Sequence, residues 1–153
     1  VHNTKENFMP VFEGSAVYMA DEDDIQVALG LDNIDEKTAI PAGLMKTGNG
    51  VSVPIKYNGD FLVGPEGAHI NISGISGLAT KTSYAMFLLK AIQHKYKEDV
   101  AIIVLNVKGD DLLHIHRPSD KITEDQRKDW DDLGVPCTPF ENVKYLYPYK
   151  KQK

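Results

Sequence analysis

The sequence predicts an α/β fold with a parallel sheet, preceded by a small β-rich, barrel-like segment. From about residue 61 onward, apolar runs typical of strands alternate with longer stretches that have the apolar period of a helix. Strands separated by helices form parallel sheets with right-handed crossovers. Residues 1–60 instead contain short apolar runs broken by Gly, Pro and Asn, which is typical of small β units. We therefore divide the chain into segments 1–60 and 61–153.

Composition excludes several classes of protein. The chain is 42% apolar and 25% charged, as in ordinary globular proteins. Its apolar stretches are too short to cross a bilayer and no signal-peptide core is present, so we expect no membrane partner. A single cysteine, Cys137, is consistent with a reducing cytoplasm. The net charge of −5 argues against a uniformly basic surface for nucleic acid, although a channel lined locally by lysines is compatible with it.

In the first segment, alternating residues predict strands at 15–19 and 52–57. Asp21, followed three residues later by Asp24, is typical of a helix start, and Gly30 is typical of a helix end. These signals predict one short helix over residues 22–29.

In the second segment, the order of patterns is strand, loop, helix, strand, loop, helix. Strands are predicted at 69–72, at 100–104, where the run VAIIV is continuously apolar, and at 142–147. A helix is predicted over 81–96 from the apolar stripe Ala85, Leu88, Leu89, Ile92 and Tyr96. Thr123 with Gln126 forms a capping-box pattern that begins a second helix, and Gly134 ends it.

A glycine-rich segment joins the first of these strands to the first helix. It consists of Gly74, Ile75, Ser76, Gly77, Leu78, Ala79, Thr80, Lys81 and Thr82, and Ser83 follows. In a P-loop, glycines let backbone N–H groups converge on phosphates at the N-terminus of the next helix. A lysine reaches the β- and γ-phosphates, and a hydroxyl binds Mg²⁺. The segment therefore predicts an ATP site with Lys81 as the phosphate ligand and Thr82 as the metal ligand.

The spacing of this loop departs from the common pattern. G-x-x-x-x-G-K-[ST] requires glycines one and six residues before the lysine, where this chain has Thr80 and Ile75. Its glycines fall four and seven residues before Lys81, as if one residue had been inserted. A competing interpretation is a tightly packed strand-to-helix turn with a solvated lysine. The flanking strand and helix patterns favour the P-loop.

Carboxylates follow the predicted strand at 100–104. Asp110 and Asp111 come after Gly109, and α/β sheets bind ligands at the carboxyl ends of their strands. Asp110 or Asp111 could therefore orient water or hold Mg²⁺ through water, and we assign the catalytic role to Asp110. On spacing alone, a polar turn capping a short helix is favoured. His114 and His116 are better explained by an exposed turn than by a metal pair.

The motifs resemble those of a known family. The run FLVGPEGAHINISGISGLATKTSYAMFLL at 61–89, followed by VLNVKGDDLL at 104–113, resembles bacterial ATP-binding proteins related to the HerA/FtsK ATPases. Residues 9–57 are more weakly similar to the end of the small β-barrel that precedes the motor core in that family. The resemblance implies a RecA-like P-loop core in which Gly74, Gly77, Lys81 and Thr82 hold phosphate and Mg²⁺.

The resemblance also implies an activity and an assembly state. Members form hexameric rings, hydrolyse ATP and translocate duplex DNA, often with a partner nuclease. Where the family has an acidic residue after its second strand, this chain has Asn106. The family's Walker B acidic pair and arginine finger would lie beyond this sequence. We expect the chain, which lacks an initial methionine and ends in a polar run, to be an inactive piece of a longer protein.

Three hypotheses follow. The first is the nucleotide-binding part of a DNA-translocating ATPase. The second is a nucleotide-binding regulatory module that does not hydrolyse ATP, favoured by the irregular loop and by Asn106. The third is an assembly module in which residues 1–60 dock a partner.

Overall fold

The computed structural model describes residues 11–65, 68–75, 80–97, 99–107, 110 and 112–147. The protein is a small mixed α/β protein. Its elements in chain order are α1 (Glu22–Leu29), a 3-10 turn (Leu31–Asn33), β1 (Ala39–Lys46), β2 (Ser52–Asn58), α2 (Asp60–Val63), α3 (Thr80–Tyr96) and α4 (Glu124–Asp132).

The ends of two helices form as local sequence signals predict. The Asp21 side chain accepts a hydrogen bond from the Asp24 backbone N–H at 2.9 Å and begins α1. Gly30 ends this helix with φ 69°, a left-handed conformation that favours glycine. At α4, Thr123 and Gln126 form both hydrogen bonds of a capping box. The predicted helix at 22–29 and the helix beginning after Thr123 are therefore confirmed.

Within the described residues, the sheet consists of a single hairpin formed by β1 and β2. The strands pair antiparallel, with Ile40 opposite Tyr57, and the register shifts between Pro41 and Gly43. Gly43 has φ 153°, which side chains rarely adopt, and such a bulge is a common use of glycine in a strand. The strand predicted at 52–57 is confirmed. β1 was not among the predicted strands, because Pro41 and Gly43 interrupt any alternation of apolar residues.

The core lies between α3 and β1. Ile40 from β1 packs with Ala91 and Ile92 from α3 and with Val135, which follows α4. Trp130 and Tyr96 are among the half-buried side chains that cover this cluster. The predicted helix over 81–96 and its apolar stripe are thereby confirmed, since the helix buries that stripe.

Two polar side chains of α3 hold the segment after α4. Lys90 is only 4% exposed, and its ammonium donates to the Pro139 carbonyl at 2.8 Å beside the Phe140 ring. Burial lowers the pKa of Lys90, and nearby Glu141 partly opposes this shift. Gln93 donates to the Glu141 carbonyl at 3.1 Å and accepts from its N–H at 3.4 Å. Side chains of a helix thus satisfy backbone groups that a strand ladder would otherwise satisfy.

Four predicted strands do not form within the described residues. The runs at 15–19, 69–72, 100–104 and 142–147 belong to no strand ladder. Residues 15–19 are fully on the surface, and Ile103 and Leu105 are 86% and 83% exposed. A strand is stabilised by hydrogen bonds and side-chain pairs from a neighbouring strand, which an apolar pattern alone does not supply. The described residues offer these runs no such neighbour.

The fold-class prediction is therefore confirmed only in its coarse form. Helices and strands are combined, but the sheet of the described residues is two-stranded and antiparallel, with no parallel RecA-like core among them. The helices that the structure describes include none that is both long and apolar enough to cross a membrane.

Candidate functional site

A lysine at the N-terminus of α3 contacts the first two residues of the glycine-rich segment. Lys81 lies in the first turn of this helix, and its ammonium donates to the carbonyl oxygens of Gly74 at 2.8 Å and Ile75 at 3.1 Å. The structure thus brings together three residues that the sequence assigned to one phosphate site. The two hydrogen bonds of Lys81 connect the start of the helix to the start of the glycine-rich segment.

The charge at this end of α3 is favourable to an anion. The first helical turn contains no acidic residue, and the N-terminus of a helix is the positive end of its dipole. Lys81 takes part in neither of the two ion pairs that the described residues form, Lys46–Asp129 and Lys56–Glu36. Its partners at Gly74 and Ile75 are neutral carbonyls, and none of the carboxylates that the structure describes forms an ion pair with it.

Hydroxyl groups follow the lysine on the helix. Thr82 and Ser83 are both exposed in the first turn of α3. Thr82 therefore has the side-chain chemistry and the accessibility that a Mg²⁺ ligand requires. Of the other predicted loop residues, Ser76, Gly77, Leu78, Ala79 and the side chain of Thr80 lie outside the described residues.

An open groove of about 510 Å³ begins where the glycine-rich loop begins. One wall comes from the hairpin and α2, a second from the residues that lead into the loop, and a third from α3. The lining side chains include Tyr57, Phe61, His69, Ile70, Asn71 and Tyr84. No sequence pattern indicates this groove, because Tyr57 and Phe61 approach α3 only through tertiary packing.

Tyr84 joins α3, one side of the groove, to the hairpin. Its hydroxyl lies 3.0 Å from the Ala42 carbonyl, to which it donates, and 3.3 Å from the Tyr57 hydroxyl. Burial raises the pKa of Tyr84 well above its usual value, and the Tyr57 hydroxyl adds to the shift. The neutral phenol, which can donate, is therefore the form present in the folded protein. Its ring stacks at 6.3 Å on Phe87, which contacts Trp130 edge-on at 5.2 Å.

Of the predicted carboxylate site, Asp110 is among the described residues. Asp110 is exposed at the start of a turn, where its carbonyl accepts the Leu113 N–H at 3.0 Å. The described residues show no contact between Asp110 and Lys81, and Gly109 and Asp111 lie outside them. Residues 100–104 form no strand ladder among the described residues. The position of Asp110 at the carboxyl end of a sheet strand therefore stays a prediction.

The histidines occupy the exposed turn that the sequence favoured. His114 is exposed, and His116 Nδ1 lies 2.7 Å from the Tyr145 hydroxyl with the two rings edge to face. Over the described part of the chain, no three His, Cys, Asp or Glu side chains come together as metal ligands.

Comparison with known proteins adds no relative. No protein-family model matches the chain, and no curated protein or solved structure matches it either. The HerA/FtsK resemblance therefore stays a prediction from the motifs at 61–89 and 104–113.

Proposed function

We propose that the loop at 74–82 and the N-terminus of α3 bind the phosphates of ATP. The main support is the position of Lys81, whose ammonium reaches the Gly74 and Ile75 carbonyls and forms no ion pair with a carboxylate of the described residues. Loop carbonyls are weaker partners for an ammonium than phosphate oxygens, since a carbonyl is a neutral dipole whereas a phosphate carries full negative charge. A bound phosphate can therefore displace the carbonyls from Lys81 without a conformational change in the helix.

The residues present suit Mg²⁺ as the accompanying ion. Mg²⁺ prefers oxygen ligands and is commonly held by one or two protein groups together with phosphate oxygens and water. The exposed hydroxyl of Thr82, next to Lys81, would be the protein ligand. When bound, the ion would neutralise charge on the β- and γ-phosphates. Lys81 would orient the same phosphates.

The wider proposal is an ATPase of the HerA/FtsK type, with this chain as its nucleotide-binding part. It rests on the sequence resemblance at 61–89 and 104–113. In this proposal a parallel RecA-like core assembles in a cytoplasmic hexamer that hydrolyses ATP to translocate duplex DNA, with a nuclease as partner. Asp110 would orient the attacking water or hold Mg²⁺ through a water molecule. The exposed apolar run at 100–105 would supply a central strand of that core.

A second candidate is a nucleotide-binding module that regulates or assembles without hydrolysis. Asn106 supports it, because an amide cannot accept a proton from attacking water and the resembled family has a carboxylate at this place. Thr80, in place of the usual glycine before the lysine, supports it too.

Binding is tested by calorimetric titration of the chain with ATP and Mg²⁺. Lys81→Ala is expected to weaken binding about ten- to hundredfold, because a hydrogen bond to a charged group contributes roughly 1.5–3 kcal/mol. Lys128→Ala is the matched control, since it removes the same charge from an exposed position on α4. Equal affinities for wild type, Lys81→Ala and Lys128→Ala would exclude Lys81 as a phosphate ligand.

Turnover distinguishes the two candidates. Phosphate release is measured for a full-length protein that contains this sequence, with and without duplex DNA. The ATPase proposal expects hydrolysis that DNA stimulates, whereas the regulatory proposal expects binding without release. The 153-residue chain alone is expected to release no phosphate, because catalysis of phosphoryl transfer requires several separate groups and the chain offers only the phosphate loop and Asp110. Activity in the chain alone would show that the catalytic residues are misassigned.

A further inference from the structure

The groove beside the loop leaves aromatic and aliphatic surface uncovered on a rigid support. Phe61 on α2 is 74% exposed and Ile70 is 47% exposed. The wall that bears Phe61 is fixed, because the Gly59 N–H donates to the Thr38 carbonyl at 2.8 Å and the Gly59 carbonyl accepts from Leu62 at 2.9 Å. An exposed ring on a fixed wall can stack on a flat ligand with little loss of conformational entropy.

Polar groups line the same groove. His69, Asn71 and Ser73 are exposed and line the groove together with the tyrosine pair Tyr57 and Tyr84. A flat ring with hydrogen-bonding edges matches such a lining better than a purely aliphatic ligand does, because amide, imidazole and hydroxyl groups would otherwise lose their bonds to water.

The groove and the proposed phosphate site are adjacent. Ser73 lines the groove and precedes Gly74, whose carbonyl holds the Lys81 ammonium, and consecutive Cα atoms are only about 3.8 Å apart. Tyr84 lines the groove three residues after Lys81 on α3, and side chains at this spacing lie on one helix face about 5–6 Å apart. One ligand can therefore occupy both places.

We propose that this groove binds the base of the nucleotide whose phosphates the loop holds, with Phe61 as a stacking platform. The inference rests on the proposed function and extends it from phosphate to base. The base stacks on Phe61, and its edges bond to the His69 and Asn71 side chains. Phosphate binding through Lys81 does not depend on this groove, so the two proposals can fail separately.

The test uses two ligands and two matched phenylalanines. The chain is titrated with ATP and Mg²⁺, and separately with inorganic tripolyphosphate and Mg²⁺, which offers phosphates without a base. Phe61→Ala is compared with Phe12→Ala, because Phe12 is 70% exposed and outside the groove. Both rings are largely in solvent, so neither substitution is expected to affect folding, and circular dichroism checks this.

Phe61→Ala is expected to weaken ATP binding roughly tenfold, the size of effect typical of removing a ring that stacks on a base. It should leave tripolyphosphate binding unchanged, and Phe12→Ala should change neither affinity. Lys81→Ala should weaken the binding of both ATP and tripolyphosphate.

Three results would overturn the inference. If Phe61→Ala and Phe12→Ala bind ATP as wild type does while Lys81→Ala binds it weakly, the base lies elsewhere and the phosphate site stands. If wild type binds neither ligand, the proposed function fails and the base site fails with it. Equal weakening of ATP and tripolyphosphate by Phe61→Ala would also contradict a contact to the base.

Discussion

Gly59 joins β2 to α2, and its lack of a side chain allows Thr38 and Tyr96 to pack closely against it. It is buried, with φ −61° and ψ −25°, a backbone conformation that any residue adopts. An added Cβ would overlap the Tyr96 hydroxyl and would lie 2.6 Å from the Thr38 carbonyl oxygen and 3.1 Å from Ile40 Cδ1. Space alone, and not backbone strain, therefore requires glycine at this position.

We expect Gly59→Ala to lower the free energy of unfolding by about 1–3 kcal/mol, the usual cost of inserting a methyl group into a packed core. The Thr38 oxygen is backbone and accepts the Gly59 N–H at 2.8 Å, so moving it away also weakens a hydrogen bond worth about 1 kcal/mol. Against this, alanine reduces the entropy of the unfolded chain, which stabilises by about 0.4–1 kcal/mol. The net effect remains destabilising.

The assay is urea denaturation followed by circular dichroism, with Gly48→Ala as the matched control. Gly48 is exposed in the hairpin turn, and a Cβ there would meet nothing within 4 Å. Its substitution should change stability by no more than about 0.5 kcal/mol, as at most surface positions. Adding Tyr96→Phe to Gly59→Ala should recover part of the loss, since the Thr38 contact remains. Equal stabilities for Gly59→Ala and Gly48→Ala would refute the packing argument.

Two further predictions concern pH and exchange. Tyr84→Phe should lower stability by about 1 kcal/mol at neutral pH, because it removes the donor to the Ala42 carbonyl. The folded pKa of Tyr84 is raised, so its stabilisation is present below pH 10 and is lost as pH rises further. The difference in urea stability between wild type and variant should shrink above pH 10, and a constant difference would contradict the raised pKa. In hydrogen exchange, the amides of residues 101–105 should exchange far faster than those of Leu88 and Ile92 in α3, because residues 101–105 belong to no strand ladder. Equal protection of the two groups of amides would show that residues 101–105 have a strand partner in solution.

Local sequence determined the helices and their ends. The Asp21 cap, the left-handed Gly30 and the Thr123 capping box depend on groups within four residues of each other, so a sequence pattern contains all that they require. The apolar stripe of α3 likewise predicted the face that packs on β1. Lys81 lies in the first turn of α3, close to the start predicted for this helix.

Tertiary structure decided what depends on distant partners. The run at 100–104 has the pattern of a central strand, yet no pattern states which strand would pair with it, and within the described residues none does. The groove needs Tyr57 of β2 beside Tyr84 of α3, and the buried Lys90 needs the Pro139 carbonyl. These contacts join residues far apart in the chain, and only the packing of α3 against the hairpin and the segment after α4 brings them within hydrogen-bond distance.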